Sequence, residues 1–354
     1  MPPSSLTVEQ LAALVRSGDH ASLIADAAHH GVLGLLAYAA GPDAPTDLAM
    51  LRRRLMLEES VRAAETRRVV DALGAAGVRT VLLKGAALAY THYPEPWCRT
   101  RADLDVLVPR AERGVAGDVL QAMGYRAGDL VSGVWLMQQD LWEREVLPGE
   151  PHMVDVHVEL TNRAFFAAHL PAVDLLARAV PAPFAGAHAW QLDPADALLF
   201  SCVHRVAHHS RDARLIWSSD MTRQAAALTL PDVEQLVTRA SRYGLSSICA
   251  HELTSARAVW GGRDGALADE VLTTLDRAGR HDAGRAFVGG GRSAAADLWL
   301  DLRALPRWRD RAQLVREHLF PPRDFMLRQP GVTPGNLLWS YARRIAAGAL
   351  TFGR

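Results

Sequence analysis

The stretch Val81–Arg110 reads VLLKGAALAYTHYPEPWCRTRADLDVLVPR. It follows on an apolar run, Val78 to Leu83, bounded by Gly77 and Gly85, which is the pattern of a buried strand. Lys84-Gly85 ends that strand, and Ala86 to Tyr90 reads as the first turns of a helix. After a Pro-rich break, Leu104 to Val108 reads as a second strand carrying Asp103 and Asp105 on one face, because side chains two apart on a strand point the same way. Two neighbouring carboxylates facing a glycine turn repel each other unless positive charge lies between them. Mg²⁺ suits that place, being a hard ion that prefers carboxylate and phosphate oxygens.

Of the 39 Lys plus Arg residues, a single one is lysine, and it is Lys84. A chain that writes its basic positions as Arg has kept one ammonium, in the turn before the paired acids. A compact, flexible ammonium fits a phosphate or carboxylate contact where a planar guanidinium would not; the competing reading is a chance survivor at a solvated strand end. Further on, HMVDVHVEL alternates strictly from His152 to Leu160. Val154, Val156 and Val158 take one face, and Asp155, His157 and Glu159 the other. Asp155 is the candidate third acid, expected within about 6 Å of Asp103 or Asp105, a span that one octahedral ion can bridge. Glu159 and Asp220 are the substitutes.

The Lys-Gly turn, the Asp-x-Asp strand and the later acid resemble the nucleotidyltransferase (polymerase β-like) superfamily. LLKGAALAY, YPEPWCR and DLDVLV are similar to little-characterised bacterial nucleotidyltransferases with Lys-Gly in place of Gly-Ser. The resemblance implies an α+β fold: a small mixed β-sheet core over residues 77–162, N-terminal helices over 1–76 packing on it, and a large helical region over 163–354. It implies two Mg²⁺ ions held by Asp103, Asp105 and Asp155. The backbone N–H groups of Gly85 and Ala86 would hold a triphosphate, with Lys84 and Arg99 taking further negative charge. His204, Arg205 and His208, on the helix HRVAHH, would face the phosphates; the alternative for them is an ordinary polar helix face. Asp220 matches an acid that follows the His helix in relatives. One departure is Ala86, which stands where a hydroxyl residue is common and removes one phosphate contact.

Bulk properties narrow the partners. Net charge is zero over 354 residues, so nothing global points to nucleic acid, and the acceptor is expected to be a small molecule or a peptide. The three cysteines have no metal-binding spacing, and their low, odd count suits a reducing cytoplasm, the expected location. No apolar run is long enough to span a bilayer. From Leu160 onward the chain reads as almost wholly helical, with residues 231 to 280 as two amphipathic helices. From His281 onward there are twelve Arg against six acidic residues, and the last helix carries Leu337, Leu338 and Trp339. That helix reads as docked on the body, or as a contact for a partner or a membrane surface. The expected activity is Mg²⁺-dependent transfer of a nucleotide from an NTP to a hydroxyl or similar group. The alternative is a nucleotidyltransferase fold kept as an accessory or regulatory protein.

Overall fold

The structure is a computed structural model that describes residues 20–128, 135, 138–147, 149–209, 214–289 and 291–352. The sequence reads as a helix opening at Thr7 and as a strand or irregular piece from Val131 to Met137; the first lies outside the described residues, as does most of the second. The described chain opens with α1 (His20–His29), α2 (Leu33–Ala39) and the long α3 (Thr46–Ala75). Then come β1 (Thr80–Leu82), α4 (Lys84–Thr91), β2 (Asp103–Leu107), α5 (Arg113–Ala122), β3 (Arg126–Ala127), β4 (Gln139–Leu147) and β5 (Glu150–His157). After α6 (Ala164–His169) and α7 (Ala172–Arg178), β6 (Val180–Pro181) and β7 (Ala189–Gln191) return to the sheet. Among the described residues nine further α-helices follow: α8 (Pro194–His208), α9 (Leu215–Ala227), α10 (Leu230–Arg242), α11 (Ser246–Trp260), α12 (Asp269–Ala278), α13 (Ala294–Ala304), α14 (Trp308–Leu319), α15 (Arg323–Leu327) and α16 (Leu337–Phe352).

The fold is α+β, with one mixed seven-stranded sheet in the order β3-β4-β5-β2-β1-β7-β6. β2 runs parallel to β5 and antiparallel to β1, while β1 runs parallel to β7. The alternation read from the sequence decides which face is which. Leu82, Leu104, Val106, Val154 and Val156 join Val69, Leu73 and Leu120 in a core between the sheet and helices α3 and α5. On the opposite face, Val81, Leu83 and Leu107 pack into a second core with Leu198, Leu199 and Cys202 of α8 and the helices beyond it. Asp103, Asp105, Asp155 and His157 share that second face, so the acids lie under the helical layer rather than in open solvent.

Three elements differ from the sequence expectation. The stretch after Leu160 holds β6 and β7, because Ala189-Trp190-Gln191 pairs with Thr80–Leu82. Strands of two and three residues are too short for a period of two to show. Residues 231 to 280 hold three helices, α11 being tucked among the others with Ile248, Cys249 and Leu253 fully buried. The segment Ala21 to Ala39, rich in Ala and Leu and read from sequence as one helical stretch, is two helices, broken at Gly31, whose φ of 71° belongs to the left-handed region. α2 then lies directly on the Pro96–Cys98 turn: a Cβ added to Gly34 would sit 2.5 Å from the Trp97 carbonyl oxygen. That close approach fixes the turn that delivers Arg99.

Candidate active site

The site forms where β1 ends and β2 begins. Lys84 has φ of +48°, the one non-glycine residue with positive φ among the described residues. Such a conformation costs about 1–2 kcal/mol for a residue with a Cβ. The turn therefore spends stability to aim one side chain. Lys84 Nζ donates to Asp105 Oδ1 at 2.7 Å. His157 Nε2 approaches the same oxygen at 2.9 Å. A carboxylate can only accept, so His157 carries its proton on Nε2, which leaves its buried Nδ1 without a hydrogen-bond partner.

Register brings the third acid in. Asp105 on β2 is paired with Asp155 on β5, side by side in a parallel ladder. One ligand atom each of Asp105, Asp155 and His157 lies within 4.8 Å of the others, so this trio could hold a metal ion. The distance expected for Asp155 from Asp105 is met. Asp155 Oδ1 is buried with no hydrogen-bond partner, and Oδ2 has only a long contact, 3.4 Å, from Gln139 Nε2. A buried carboxylate oxygen left bare is costly unless something else completes it, and a hard cation with oxygen ligands fits that vacancy in the bonding.

Electrostatics separate the three acids. Burial acts upward on Asp105, yet Lys84 and His157 hold it well below the usual carboxylate range. Asp103 is pushed up to about 6 by burial and then by the charge of Asp105. Asp155 is likewise raised to about 6, by burial and then by Asp105. One permanently charged carboxylate thus sits between two that resist ionising in its company, the signature of a cluster short of positive charge.

Asp103, Asp105, Lys84, Gly85 and Arg99 line a cleft of 460 Å³, closed on the far side by His204, His209 and Trp217. Burial, and then Lys84 and the neighbouring imidazoles, lower the pKa of His204 well below its ordinary value; His208 is also lowered, by burial first and then by Lys84. Both rings are therefore neutral, and His209 stacks on Trp217 with ring centroids 4.3 Å apart. This wall is aromatic, with the Arg214 guanidinium lying over the Trp217 ring.

The other expected residues are dispersed around this centre. Ala86 lies outside the cleft lining, 2% exposed, and its N–H donates to the Leu83 carbonyl at 3.1 Å. Arg99 lines the cleft, but its guanidinium grips Asp220 through two hydrogen bonds of 2.8 Å and donates to the Thr100 carbonyl. Asp220, with Tyr93 donating to it at 2.6 Å, is a buried anchor. Arg205 turns to Glu252 at 3.5 Å, and Glu159 accepts from Arg110 and from the N–H of Ala172. Sequence reading gave no part to His209, Trp217 or Arg101. His209 stands next to His208, so the doubled histidine was a usable sign. Arg101 carried none, because its role depends on a bidentate pair with Glu59 of α3, 42 residues away. The pair Arg99–Asp220 gives a first prediction: Asp220→Asn should destabilise the protein by about 3–5 kcal/mol, because it leaves a buried guanidinium uncompensated. Chemical denaturation of the variant measures it.

The sequence profile described as "Uncharacterised nucleotidyltransferase" matches residues 17–261. The chain belongs to this family. The match covers the sheet, the acid cluster and helices α8 to α11, and stops before the Arg-rich region. No curated protein matches the chain. Membership supports a transferase of the nucleotidyl class, and the buried Asp-Asp-His group gives such an enzyme a place for a metal ion.

Proposed function

We propose that this nucleotidyltransferase moves a nucleoside monophosphate from an NTP to a hydroxyl or similar group of a small molecule or peptide, using Mg²⁺. The observation that carries the reading is the bare, buried Asp155 Oδ1 beside Asp105, with Lys84 at the edge of the pair. Asp103, Asp105 and Asp155 would hold the cations, with His157 bracing Asp105 from behind. Bound there, Mg²⁺ supplies charge neutralisation on the triphosphate. Lys84 is placed to exchange its carboxylate contact for a phosphate oxygen, and Gly85 lets the backbone come close to that phosphate. Asp155 is the group to take the acceptor's proton, with a raised pKa suited to that work near neutrality. The aromatic wall of His204, His209 and Trp217 would offer a stacking surface to a base. Arg205 has no part in this reading. Arg99 keeps its pocket position and acts through the turn it anchors.

Thermal unfolding tests the binding half. Millimolar NTP with Mg²⁺ should raise the melting temperature, and neither component alone should match the effect. No rise with any NTP would favour the accessory reading, to which the missing hydroxyl at Ala86 lends its support.

The pH dependence follows from Asp103 and Asp155. Their folded pKa values lie near 6, above the unfolded value of 3.8, so protons compete with the cation below about pH 6. Stabilisation by Mg²⁺ should be largest above pH 7 and fade as pH falls through 6. Melting curves with Mg²⁺ and with chelator, taken across that range, read it. A constant Mg²⁺ effect down to pH 5 would place the ion elsewhere.

A further inference from the structure

The region beyond the family match presents arginine and large apolar side chains together on its exterior. Two of its acids are buried, Asp301 receiving Arg163 and the N–H of Phe165 and Glu317 accepting from the N–H of Trp135, while Asp297 and Asp310 are half-buried and Asp324 is exposed. Its arginines face outward, among them Arg303, Arg307, Arg309, Arg316, Arg323 and Arg343. No acidic residue follows Asp324 in the sequence, whereas Arg328, Arg343, Arg344 and Arg354 do. Large apolar side chains share this exterior: Trp308 is 73% exposed, Trp339 62% and Leu338 86%. Three of the arginines lie over tryptophan rings, Arg303 on Trp299, Arg309 on Trp308 and Arg343 on Trp339.

Helix α16 shows the pattern in one element. Its sequence, LLWSYARRIAAGALTF, carries two charges, both arginine. One side holds it to the body, where Tyr341 donates to the Pro321 carbonyl and Arg344 to the His318 carbonyl. Leu338, Trp339, Ala342 and Arg343 fall on the other side at helical spacing and are exposed. No helix among the described residues is long and apolar enough to cross a membrane. A helix with an aliphatic and aromatic outer face, arginine beside it and no acid has the chemistry of one that lies in a lipid interface.

We propose that the face formed by α13 to α16 docks on an anionic phospholipid surface, with Leu338, Trp339 and Trp308 entering the interface and the outward arginines meeting lipid phosphates. Charge complementarity fixes the sign of the surface, since arginines outnumber acids twelve to six from His281 onward and α16 itself carries no acid. The exposed aliphatic Leu338 favours hydrocarbon over nucleic acid, whose recognition would use the arginines and tryptophans but leave that side chain in water.

The test uses the full chain and sedimentation with vesicles of phosphatidylcholine alone or with about a third phosphatidylglycerol. The protein should pellet with the anionic vesicles, at least roughly tenfold more strongly than with the neutral ones, and its tryptophan emission should move to the blue. Salt near 0.5 M should weaken the binding by screening the arginines. Leu338→Asp with Trp339→Asp should abolish it. Trp308→Asp with Arg309→Glu, on a different helix, should weaken it at least as much as salt does, so that local damage to α16 cannot by itself explain a loss. Far-UV circular dichroism of both double variants should match the parent. No pelleting with anionic vesicles, equal pelleting with neutral ones, or unchanged pelleting of both variants overturns the proposal. Retention on single-stranded RNA with none on vesicles also overturns it and assigns the face to nucleic acid.

Discussion

Asp103→Asn is expected to cut nucleotidyl transfer by roughly 10³-fold or more while making the metal-free protein more stable at pH 8. The two effects have one cause. Asp103 makes no hydrogen bond among the described residues, so the amide breaks no contact, and its ionised form is disfavoured by burial and by Asp105. A carboxyl with a folded pKa near 6 and an unfolded pKa of 3.8 destabilises the fold at any pH above both values. Removing that charge should return about 1–2 kcal/mol, after a discount for solvent screening at a partly exposed side chain. The gain should shrink as pH falls from 7 to 4, because the native Asp103 then protonates and becomes as neutral as the amide. Denaturant titrations at the two pH values, with chelator present, measure the gain; added Mg²⁺ should reverse the ranking. An Asn variant that is inactive and also unfolded would mean that Asp103 serves the fold. Asp105→Asn should be equally inactive with the fold intact, but without the gain, because it takes a counter-charge away from Lys84.

Lys84→Arg is expected to lose activity nearly as fully as Lys84→Ala. The turn is crowded: a Cβ on neighbouring Gly85 would lie 3.3 Å from Arg99 Nη1 and 3.4 Å from the Arg101 Cβ. Lys84 reaches Asp105 from a left-handed backbone with a 2.7 Å contact, and a wider, planar guanidinium would not reproduce that single-point contact of a compact ammonium. Lys84→Gly separates the two roles of the residue. Glycine adopts φ of +48° without strain, so this variant should recover about 1 kcal/mol of backbone energy yet remain inactive. Part of the loss should appear in the apparent NTP affinity, as removal of a ground-state phosphate contact requires. Steady-state kinetics of the three variants decide the point; native kinetics in the arginine variant would make the lone lysine an accident.

What could be read from sequence follows from the range of the interactions. The two strands, the shared face of Asp103 and Asp105 and the alternation from His152 to His157 are local patterns, and each is realised in the sheet. Lys84 stood out by composition alone. Three features were not legible, each for a physical reason. β7 is three residues long and owes its existence to the open edge of β1. Arg99, expected at the phosphates, and Asp220, a substitute third acid, are 121 positions apart, and only the folded chain shows that they bond to each other. His157 was placed on the right face, but its hydrogen bond to Asp105 depends on the register between two strands 52 residues apart.

Nucleotidyl transfer breaks the α–β bond of the NTP and joins the α-phosphorus to the acceptor, which separates it from phosphoryl transfer, cyclisation and hydrolysis. An NTP labelled separately at its α- and γ-phosphorus, incubated with the protein, Mg²⁺ and a pool of hydroxyl-bearing small molecules and peptides, reports which bond breaks. The account predicts that the γ label leaves as pyrophosphate and the α label moves to a new species, and that chelator or Asp103→Asn stops both. Release of the γ label as orthophosphate, with the α label retained on the diphosphate, would contradict it.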